Sequence, residues 1–210
     1  MTRAPALVAD EVHVVRLDLT GAPGEHAWGL LSRDERARAA RLRFDLHRDR
    51  FVAAHVGLRE VLARYLGTAS DSVRLDADAH GKPVLADGRL QFNLSHSDAV
   101  ALVALAWDRA VGVDVERIDP RRDVLALAER GLEPAEAAIV RAAPPEDRAA
   151  VFHRAWARRE AVVKCTGAGL GGPPAAGPLS LVDLDVGDGY AAAVAIAGDS
   201  PARVELVERP

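Results

Sequence analysis

The spacing of apolar and polar residues changes several times along the first half of the chain, and each change marks an element. Alternation over residues 12–19 predicts a strand, and apolar residues at helical spacing over 51–65 predict a helix that Gly67 caps. Ser32 and Glu35 form a capping-box pattern at the start of an earlier helix. Short apolar runs between turn residues predict strands at 73–77, 83–85, 90–94 and 100–107.

The second half of the chain repeats this order. A predicted strand over 111–118 is followed by helical patterns at 124–129, 134–142 and 147–166. Predicted strands at 179–186 and 190–197 come next, and 204–207 predicts a last edge strand. Only three residues separate position 107 from position 111, which favours an antiparallel hairpin between the two strands there.

The repeated order predicts an α+β fold of two similar halves. The division falls between residues 1–108 and 109–210, and the interface of the halves would form a cleft. No residue-level repeat is visible, so the similarity lies in the architecture.

The strand predicted at 111–118 carries two carboxylates within an apolar run. Because side chains alternate between the faces of a strand, its valines share one face, and Gly112, Asp114 and Glu116 share the other. Burying carboxylates is costly unless a cation or hydrogen bonds compensate them, so a positive group is expected over this face, where Gly112 leaves room. The alternative is an edge strand with one wet face.

The composition is that of a globular protein. Of 210 residues 49% are hydrophobic and 28% charged, which excludes a disordered tail and a membrane protein. The longest uncharged apolar stretch, 99–107, is far shorter than the roughly 20 residues that span a bilayer, and the start lacks a signal-peptide pattern. The net charge of -4 argues against nucleic-acid binding. Cys165 is the single cysteine, so no internal disulfide can form, and a cytoplasmic location is expected.

Arginine supplies 25 of the 27 basic residues, and Lys82 and Lys164 are the only lysines. A position that keeps lysine in such a chain is a candidate for a role that needs a compact ammonium, with chance retention as the alternative. Glu160 precedes Lys164 by one helical turn. Such a pair is also common on helix surfaces, where it contributes ~0.2–0.5 kcal/mol.

Short polar side chains are concentrated at 93–97, between two apolar runs. Such a group can donate hydrogen bonds to an anion. The alternative is a polar turn in which His96 binds nothing. The Gly81-Lys82-Pro83 turn has the same two interpretations, a phosphate contact or an exposed loop.

Four motifs in this order resemble the 4'-phosphopantetheinyl transferase superfamily, in its two-domain, surfactin-synthetase-activating (Sfp-like) branch. They are Gly81-Lys82-Pro83, Phe92-Asn93-Leu94-Ser95-His96-Ser97, Gly112-Val113-Asp114-Val115-Glu116, and the stretch from Trp156 to Lys164 followed by Gly167-Ala168-Gly169-Leu170. The resemblance covers most of the chain. The resemblance implies two α+β halves in a pseudo-two-fold arrangement with the active site between them, the first half binding coenzyme A and the second binding Mg²⁺.

The resemblance also implies an activity and a role for each matched residue. The family transfers 4'-phosphopantetheine from coenzyme A to a serine of an apo carrier protein and releases adenosine 3',5'-bisphosphate. Asp114, Glu116 and Glu160 would hold Mg²⁺ through oxygen ligands. Glu160 would also be the general base for the serine, and Lys164 would stabilise or protonate the leaving phosphate.

Coenzyme A would be bound mainly by the first half of the chain. The expected contacts are Lys82, Pro83, Ser95 and His96, with Arg43 or Arg50 as further candidates for the 3'-phosphate. The family usually has lysine before the catalytic glutamate, whereas this chain has Arg159. The charge is kept, but a role that needs a deprotonatable amine would be lost.

The implied partners are apo carrier proteins or domains of polyketide, nonribosomal-peptide or fatty-acid synthases. Residues 127–138 and the loop after Leu170 are candidates for recognising them, and we expect a monomer with no nucleic-acid or membrane partner. One alternative is a non-catalytic member that binds coenzyme A or carriers. Another is a different Mg²⁺-dependent phosphoryl-transfer enzyme, but the glycine-rich 167–172 follows a helix, the wrong side for a phosphate loop.

Overall fold

The computed structural model describes residues 6–78, 81–167, 177–199 and 202–207. Within these ranges the strands are β1 (Glu11–Asp18), β2 (Asp76–Ala77), β3 (Pro83–Val84), β4 (Leu90–Ser97), β5 (Val100–Trp107), β6 (Val111–Arg117), β7 (Leu179–Leu184), β8 (Tyr190–Ala197) and β9 (Arg203–Val207). The helices are α1 (Glu25–Leu30), α2 (Arg33–Ala40), α3 (Asp45–Leu66), α4 (Val124–Gly131), α5 (Pro134–Ala142) and α6 (Arg148–Thr166).

Most of the predicted elements are confirmed, including their caps. Ser32 accepts a hydrogen bond from the Glu35 amide while the Glu35 side chain accepts from the Ser32 amide, so the predicted capping box starts α2. Gly67 ends α3 in the left-handed conformation, with φ of 65°. The strand predicted at 73–77 is shorter in the structure, where β2 covers Asp76–Ala77, the two residues that pair with β3.

The two halves of the chain share one topology, as the repeated order predicts. The first sheet has the order β4-β5-β1-β9 and the second the order β6-β8-β7. In each half a first strand (β1 or β6) is followed by the long helix (α3 or α6) and then by a hairpin whose second strand pairs antiparallel with the first strand. The α+β fold of two similar halves is therefore confirmed.

The core is arranged as helix, sheet, sheet and helix. The even-numbered face of β1 packs through Val12 and Val14 against the valine face of β6, including Val113. The opposite face of the first sheet carries α3, with Leu58 and Leu62 in that cluster. Alanines and Cys165 form the thin layer between α6 and the second sheet: Ala161, Cys165, Ala193 and Ala195.

The predicted hairpin between β5 and β6 is wrong. β5 pairs with β1 and β4, whereas β6 pairs with β8 in the other sheet. Asp108 adopts a left-handed φ of 53° in the connection, and the chain passes from one sheet to the other there. The valines of β6 bury their side chains against the face of the first sheet. β6 therefore packs on that sheet and does not pair with β5.

Gly112 leaves room for the backbone of α6, which corrects the expectation that it makes space for a cation. A Cβ at this position would collide with the carbonyl oxygen of Ala161 and the amide nitrogen of Cys165. The helix can therefore lie directly on β6, and its Lys164 side chain supplies the expected positive charge beside the glycine.

The last strand of the chain joins the two halves. β9 pairs in parallel with β1, with His13 opposite Glu205 in the register, and forms the edge of the first sheet. The edge strand predicted at 204–207 is confirmed. The division at residues 108 and 109 stays a prediction, since the first sheet contains a strand from the second part of the chain.

Replacing Gly112 by alanine should destabilise the protein, because the methyl group meets helix backbone that cannot rotate away. Overpacking of this kind costs about 1–3 kcal/mol, which urea unfolding would detect. Gly29→Ala is the matched control, because Gly29 lies in helix α1 and a Cβ there meets nothing within 4 Å. Equal unfolding midpoints for Gly112→Ala and the unchanged protein would contradict the close approach of α6 to β6.

Candidate active site

The site begins where the edges of the two sheets meet. β4 ends the first sheet and β6 ends the second, and side chains of β4 take the place of a neighbouring strand. Three of them accept hydrogen bonds from alternate amides of β6: Asn93 Oδ1 from Val113 (2.9 Å), Ser95 Oγ from Val115 (3.4 Å) and Ser97 Oγ from Arg117 (3.0 Å). We call this contact the seam. Segment 93–97 is therefore strand rather than turn, which corrects the end of the strand predicted at 90–94.

A buried charge pair lies at the centre of the seam. Lys164 Nζ is 2.6 Å from Asp114 Oδ1 and also donates to Ser95 Oγ at 3.0 Å. Ser95 donates its own proton to Asp114 Oδ1 at 2.8 Å. Asp114 is only 3% exposed, so its face is not wet even though β6 is an edge strand. The cation predicted over the acidic face is thus Lys164, reaching over from α6.

Two more carboxylates share the electrostatic environment of Asp114. Burial and, next, the negative charge of Asp114 raise the pKa of Glu116 to about 7. The pKa of Glu160 is raised mainly by burial, while Lys164 acts in the opposite direction. Burial also raises the pKa of Asp114, against the lowering effect of Lys164. Burial is the largest cause of the raised pKa of each acid, so the site disfavours the charged form of all three.

The acidic group fits a hard divalent cation. Asp114 Oδ2 is buried and has no hydrogen-bond partner among the described residues, so one oxygen of the central acid is still free to accept a ligand. Oxygen donors are those that Mg²⁺ prefers.

A different set of residues has more closely gathered ligand atoms. Within the described part of the chain, Glu11, His13 and Glu205 form the one group of three whose atoms all lie within 4.8 Å of one another. This group lies where β9 pairs with β1, and His13 Nδ1 is 2.7 Å from the Tyr65 hydroxyl. The ion contacts of His13 there include Glu11 at 3.5 Å. These contacts give the cluster a structural role in holding β9.

A cleft of about 280 Å³, the first cleft, opens beside Lys164 and is walled by α3 and β4. Its lining residues are Arg38, Phe51, His55, Lys82, Pro83, Phe92, Asn93, Leu94, Ser95, His96 and Lys164. Four of the six predicted nucleotide contacts are therefore together in one place. Partial desolvation lowers the pKa of His96, and the positive charges of His55, Lys164 and Arg38 lower it further.

The second cleft adjoins the first and encloses about 450 Å³. It is lined by Arg38, Leu42, His47, Arg50, Phe51, His96, Ser97 and Asp98. The predicted residue Arg50 lies here, with its guanidinium 2.6 Å from Asp98. Arg43 does not line either cleft, because its guanidinium lies over the Phe44 ring instead. Arg38 lines both clefts and was not singled out from the sequence.

Lys82 lies at the end of the first cleft but is already engaged with the backbone. Its Nζ donates to the carbonyl oxygens of Lys164 at 3.0 Å and Val111 at 3.2 Å. Burial lowers its pKa. In this arrangement Lys82 ties the end of α6 to the start of β6, which adds a structural role to the predicted phosphate contact.

An apolar pocket of about 360 Å³ lies on the other side of the carboxylates. Its lining residues are Glu116, Arg122, Leu127, Arg130, Gly131, Phe152, His153 and Trp156. Glu116 thus faces this apolar pocket while Lys164 faces the first cleft. The pocket also contains two arginines, Arg122 and Arg130, and sequence reasoning missed it.

Arg159, the departure from the family pattern, keeps a charged contact. Its guanidinium is 3.1 Å from Glu133, the N-cap residue of α5. The side chain therefore links α6 to α5. Of the last motif, Ala168, Gly169 and Leu170 lie outside the described residues. The predicted carrier-recognition loop that follows Leu170 also begins outside them.

Sequence comparisons agree with the arrangement of both halves. Residues 110–206 match the profile of the 4'-phosphopantetheinyl transferase superfamily, and residues 22–107 match that of the 4'-phosphopantetheinyl transferase N-terminal region. In the described ranges no helix is long and apolar enough to cross a membrane.

Relatives with assigned names are similar over much of the chain. The 4'-phosphopantetheinyl transferase HetI of Nostoc sp. (strain PCC 7120) is 38% identical over 91% of this chain and 90% of its own length. The 4'-phosphopantetheinyl transferase psf-1 of Bacillus pumilus is 32% identical over 67% of this chain and 59% of its own. The L-aminoadipate-semialdehyde dehydrogenase-phosphopantetheinyl transferase of Xenopus laevis is 28% identical over 71% and 55%. The chain belongs to the 4'-phosphopantetheinyl transferase superfamily.

Proposed function

We propose that this protein transfers 4'-phosphopantetheine from coenzyme A to a serine of an apo carrier protein, leaving adenosine 3',5'-bisphosphate. The observation that carries the proposal is the Lys164–Asp114 pair, with an unpartnered oxygen of Asp114 and two further carboxylates beside it. The group offers both a cation for a leaving phosphate and oxygen ligands for a metal. A member that only binds coenzyme A would not require this set.

Asp114, Glu116 and Glu160 would hold Mg²⁺, which supplies charge neutralisation of the pyrophosphate and polarisation of the phosphorus under attack. The support for this ligand set is the free Oδ2 of Asp114 and the mutual repulsion of the acids, which a divalent cation would relieve. The raised pKa values support the proposal, because burial disfavours the charged form of these carboxylates and a bound cation would offset that cost.

The nucleotide part of coenzyme A would occupy the two adjoining clefts. Arg38 and His96 line both of them, Arg50 lines the second cleft, and Lys164 lies at the inner end of the first. Arg38, Arg50 and Lys164 supply positive charge for the phosphates and His96 a ring nitrogen, while Pro83, Phe51 and Phe92 offer apolar contacts to the base. Arg43 has no support from this geometry, so Arg38 replaces it as the candidate for the 3'-phosphate.

Two side chains would move protons in the transfer. Glu160 is half-buried on α6 and its raised pKa makes it a stronger base, so it can accept the proton of the attacking serine hydroxyl, directly or through water. Lys164 uses two of its ammonium protons on Asp114 and Ser95. The third remains available to donate to the phosphate that leaves.

The carrier protein would approach from the side of α4 and α5, where residues 127–138 lie. Leu127 and Arg130 line the apolar pocket next to Glu116, and Ile139 on the following turn of α5 is exposed. A monomer in the cytoplasm is sufficient for this reaction, because both halves of the site come from one chain.

Incubation with coenzyme A, Mg²⁺ and a panel of apo carrier proteins should add the mass of one phosphopantetheine to at least one carrier. Asp114→Ala should abolish the mass shift, since the remaining acids lose their central ligand. Asp183→Ala is the control, because that acid pairs with Arg158 on the surface. The proposal fails if no carrier gains mass, or if Asp114→Ala is as active as Asp183→Ala.

Lys164→Arg should lower kcat by about tenfold or more while the protein stays folded, because a guanidinium is a poor proton donor and is too wide for the contact with Asp114 and Ser95. Near-ultraviolet circular dichroism checks the fold, and steady-state kinetics with a saturating carrier check kcat. An unchanged kcat would show that the position needs only positive charge.

Metal affinity should rise with pH through about 7. Glu116 must lose its proton to bind a cation, and burial raises its pKa to about 7, so below that pH each unit costs about tenfold in affinity for Mg²⁺. The stability of the metal-free protein should change with pH in the opposite direction. Because the folded protein holds the Glu116 proton more tightly than the unfolded chain, this contribution to stability is complete below the ordinary pKa of 4.5 and is lost as the pH rises to about 7.

Calorimetric titration with Mg²⁺ at pH 6, 7 and 8 measures the dependence. Glu116→Gln should bind the metal more weakly at every pH and lose most of the slope. A pH-independent affinity in the unchanged protein would exclude Glu116 as a ligand that titrates near neutrality.

A further inference from the structure

The amides of β6 that face the first sheet depend on the seam for their hydrogen bonds. An edge strand leaves alternate N–H groups unpaired, and burying such a group without a partner is costly. Val113 and Val115 are fully buried, so water cannot serve these amides. Asn93 accepts from Val113 at 2.9 Å, and Ser95 accepts from Val115 at 3.4 Å, an amide that also hydrogen-bonds to the Asp114 carboxylate. Asp114 lies between the two held positions, and its backbone is fixed on both sides.

The hydrogen-bonding capacity of Ser95 is fully used. A serine hydroxyl has one proton and two lone pairs. The proton goes to Asp114 Oδ1, and the lone pairs face Lys164 Nζ and the Val115 amide. Ser95 therefore has no donor left for an anion, although its hydroxyl lies on the lining of the first cleft.

His96 has the opposite orientation on the same strand. Asn93, Ser95 and Ser97 bond to β6, so alternation places His96 on the other face of β4. There it is exposed and lines both clefts. The strand thus separates two tasks, one for each of its faces.

We propose that Asn93 and Ser95 are positioning residues, which hold Asp114 and Lys164 in register, and that Ser95 is not itself a phosphate ligand. The kinetic part of this inference rests on the proposed transferase function. Its structural part does not, because the seam exists in the free protein. Loss of a phosphate ligand should weaken nucleotide binding, whereas loss of a positioning residue should lower kcat and leave nucleotide binding nearly unchanged.

Amide hydrogen exchange of the free protein tests the structural part. Asn93→Ala should speed exchange at Val113 by tenfold or more, and Ser95→Ala should speed exchange at Val115 by a smaller factor, because the Asp114 carboxylate also accepts from that amide. Asn93→Asp should restore protection at Val113, because a carboxylate oxygen can still accept. Ser72→Ala, in the 3₁₀ turn, is the control and should change neither amide. Unchanged exchange at Val113 and Val115 in the alanine variants would overturn the positioning role.

Binding and kinetics test the assignment of roles. Ser95→Ala should bind adenosine 3',5'-bisphosphate within about twofold of the unchanged protein but lose about tenfold or more in kcat, and Ser95→Thr should recover most of kcat. His96→Ala should weaken bisphosphate binding. Tenfold weaker bisphosphate binding by Ser95→Ala would make Ser95 an anion ligand and overturn the proposal. If the unchanged protein modifies no carrier, the transferase function fails, while the exchange and binding results still decide the role of Ser95.

Discussion

The ion pair between Lys164 and Asp114 is the contact on which the arrangement of the molecule depends. An acid that is 3% exposed needs a cation close by, and that cation is on a different element. Helix α6 must therefore lie close to β6, which requires a residue without a side chain at Gly112 and a layer of alanines between helix and sheet. The small residues of the second half therefore allow the close packing that brings Lys164 to Asp114.

The same pair makes the two halves interdependent. Ser95 belongs to the first sheet, but it completes the hydrogen bonds of Asp114 and Lys164 from the second half. Lys82, also from the first half, holds the carbonyl end of α6. The site is therefore a property of the interface, and neither half contains a complete set of groups. This agrees with comparisons that match the halves to two profiles of one family.

Local patterns in the sequence predicted most elements, because caps, periodicity and turn residues act over a few positions. The pairing of strands was harder to predict. Three residues between β5 and β6 suggest a hairpin, but the valine face of β6 is better buried against the first sheet than paired at its edge. The chemistry of Asp114, Glu116, Lys164 and His96 made them candidates, and the family resemblance supplied their expected roles. Arg38 could not be, since the pattern of α2 does not show which of its arginines faces a cleft. The seam could not be predicted, because hydrogen bonds from side chains of one strand to the backbone of another produce no periodic pattern in the sequence.

The parallel pairing of β9 with β1 has a consequence for any attempt to separate the halves. A polypeptide that stopped after β5 would lack the strand that covers β1, leaving the amides and carbonyls along that side open to other chains. His13 would lose Glu205 as a neighbour at the same edge. We therefore expect such a fragment to self-associate through this edge unless β9 is supplied, in cis or as a peptide.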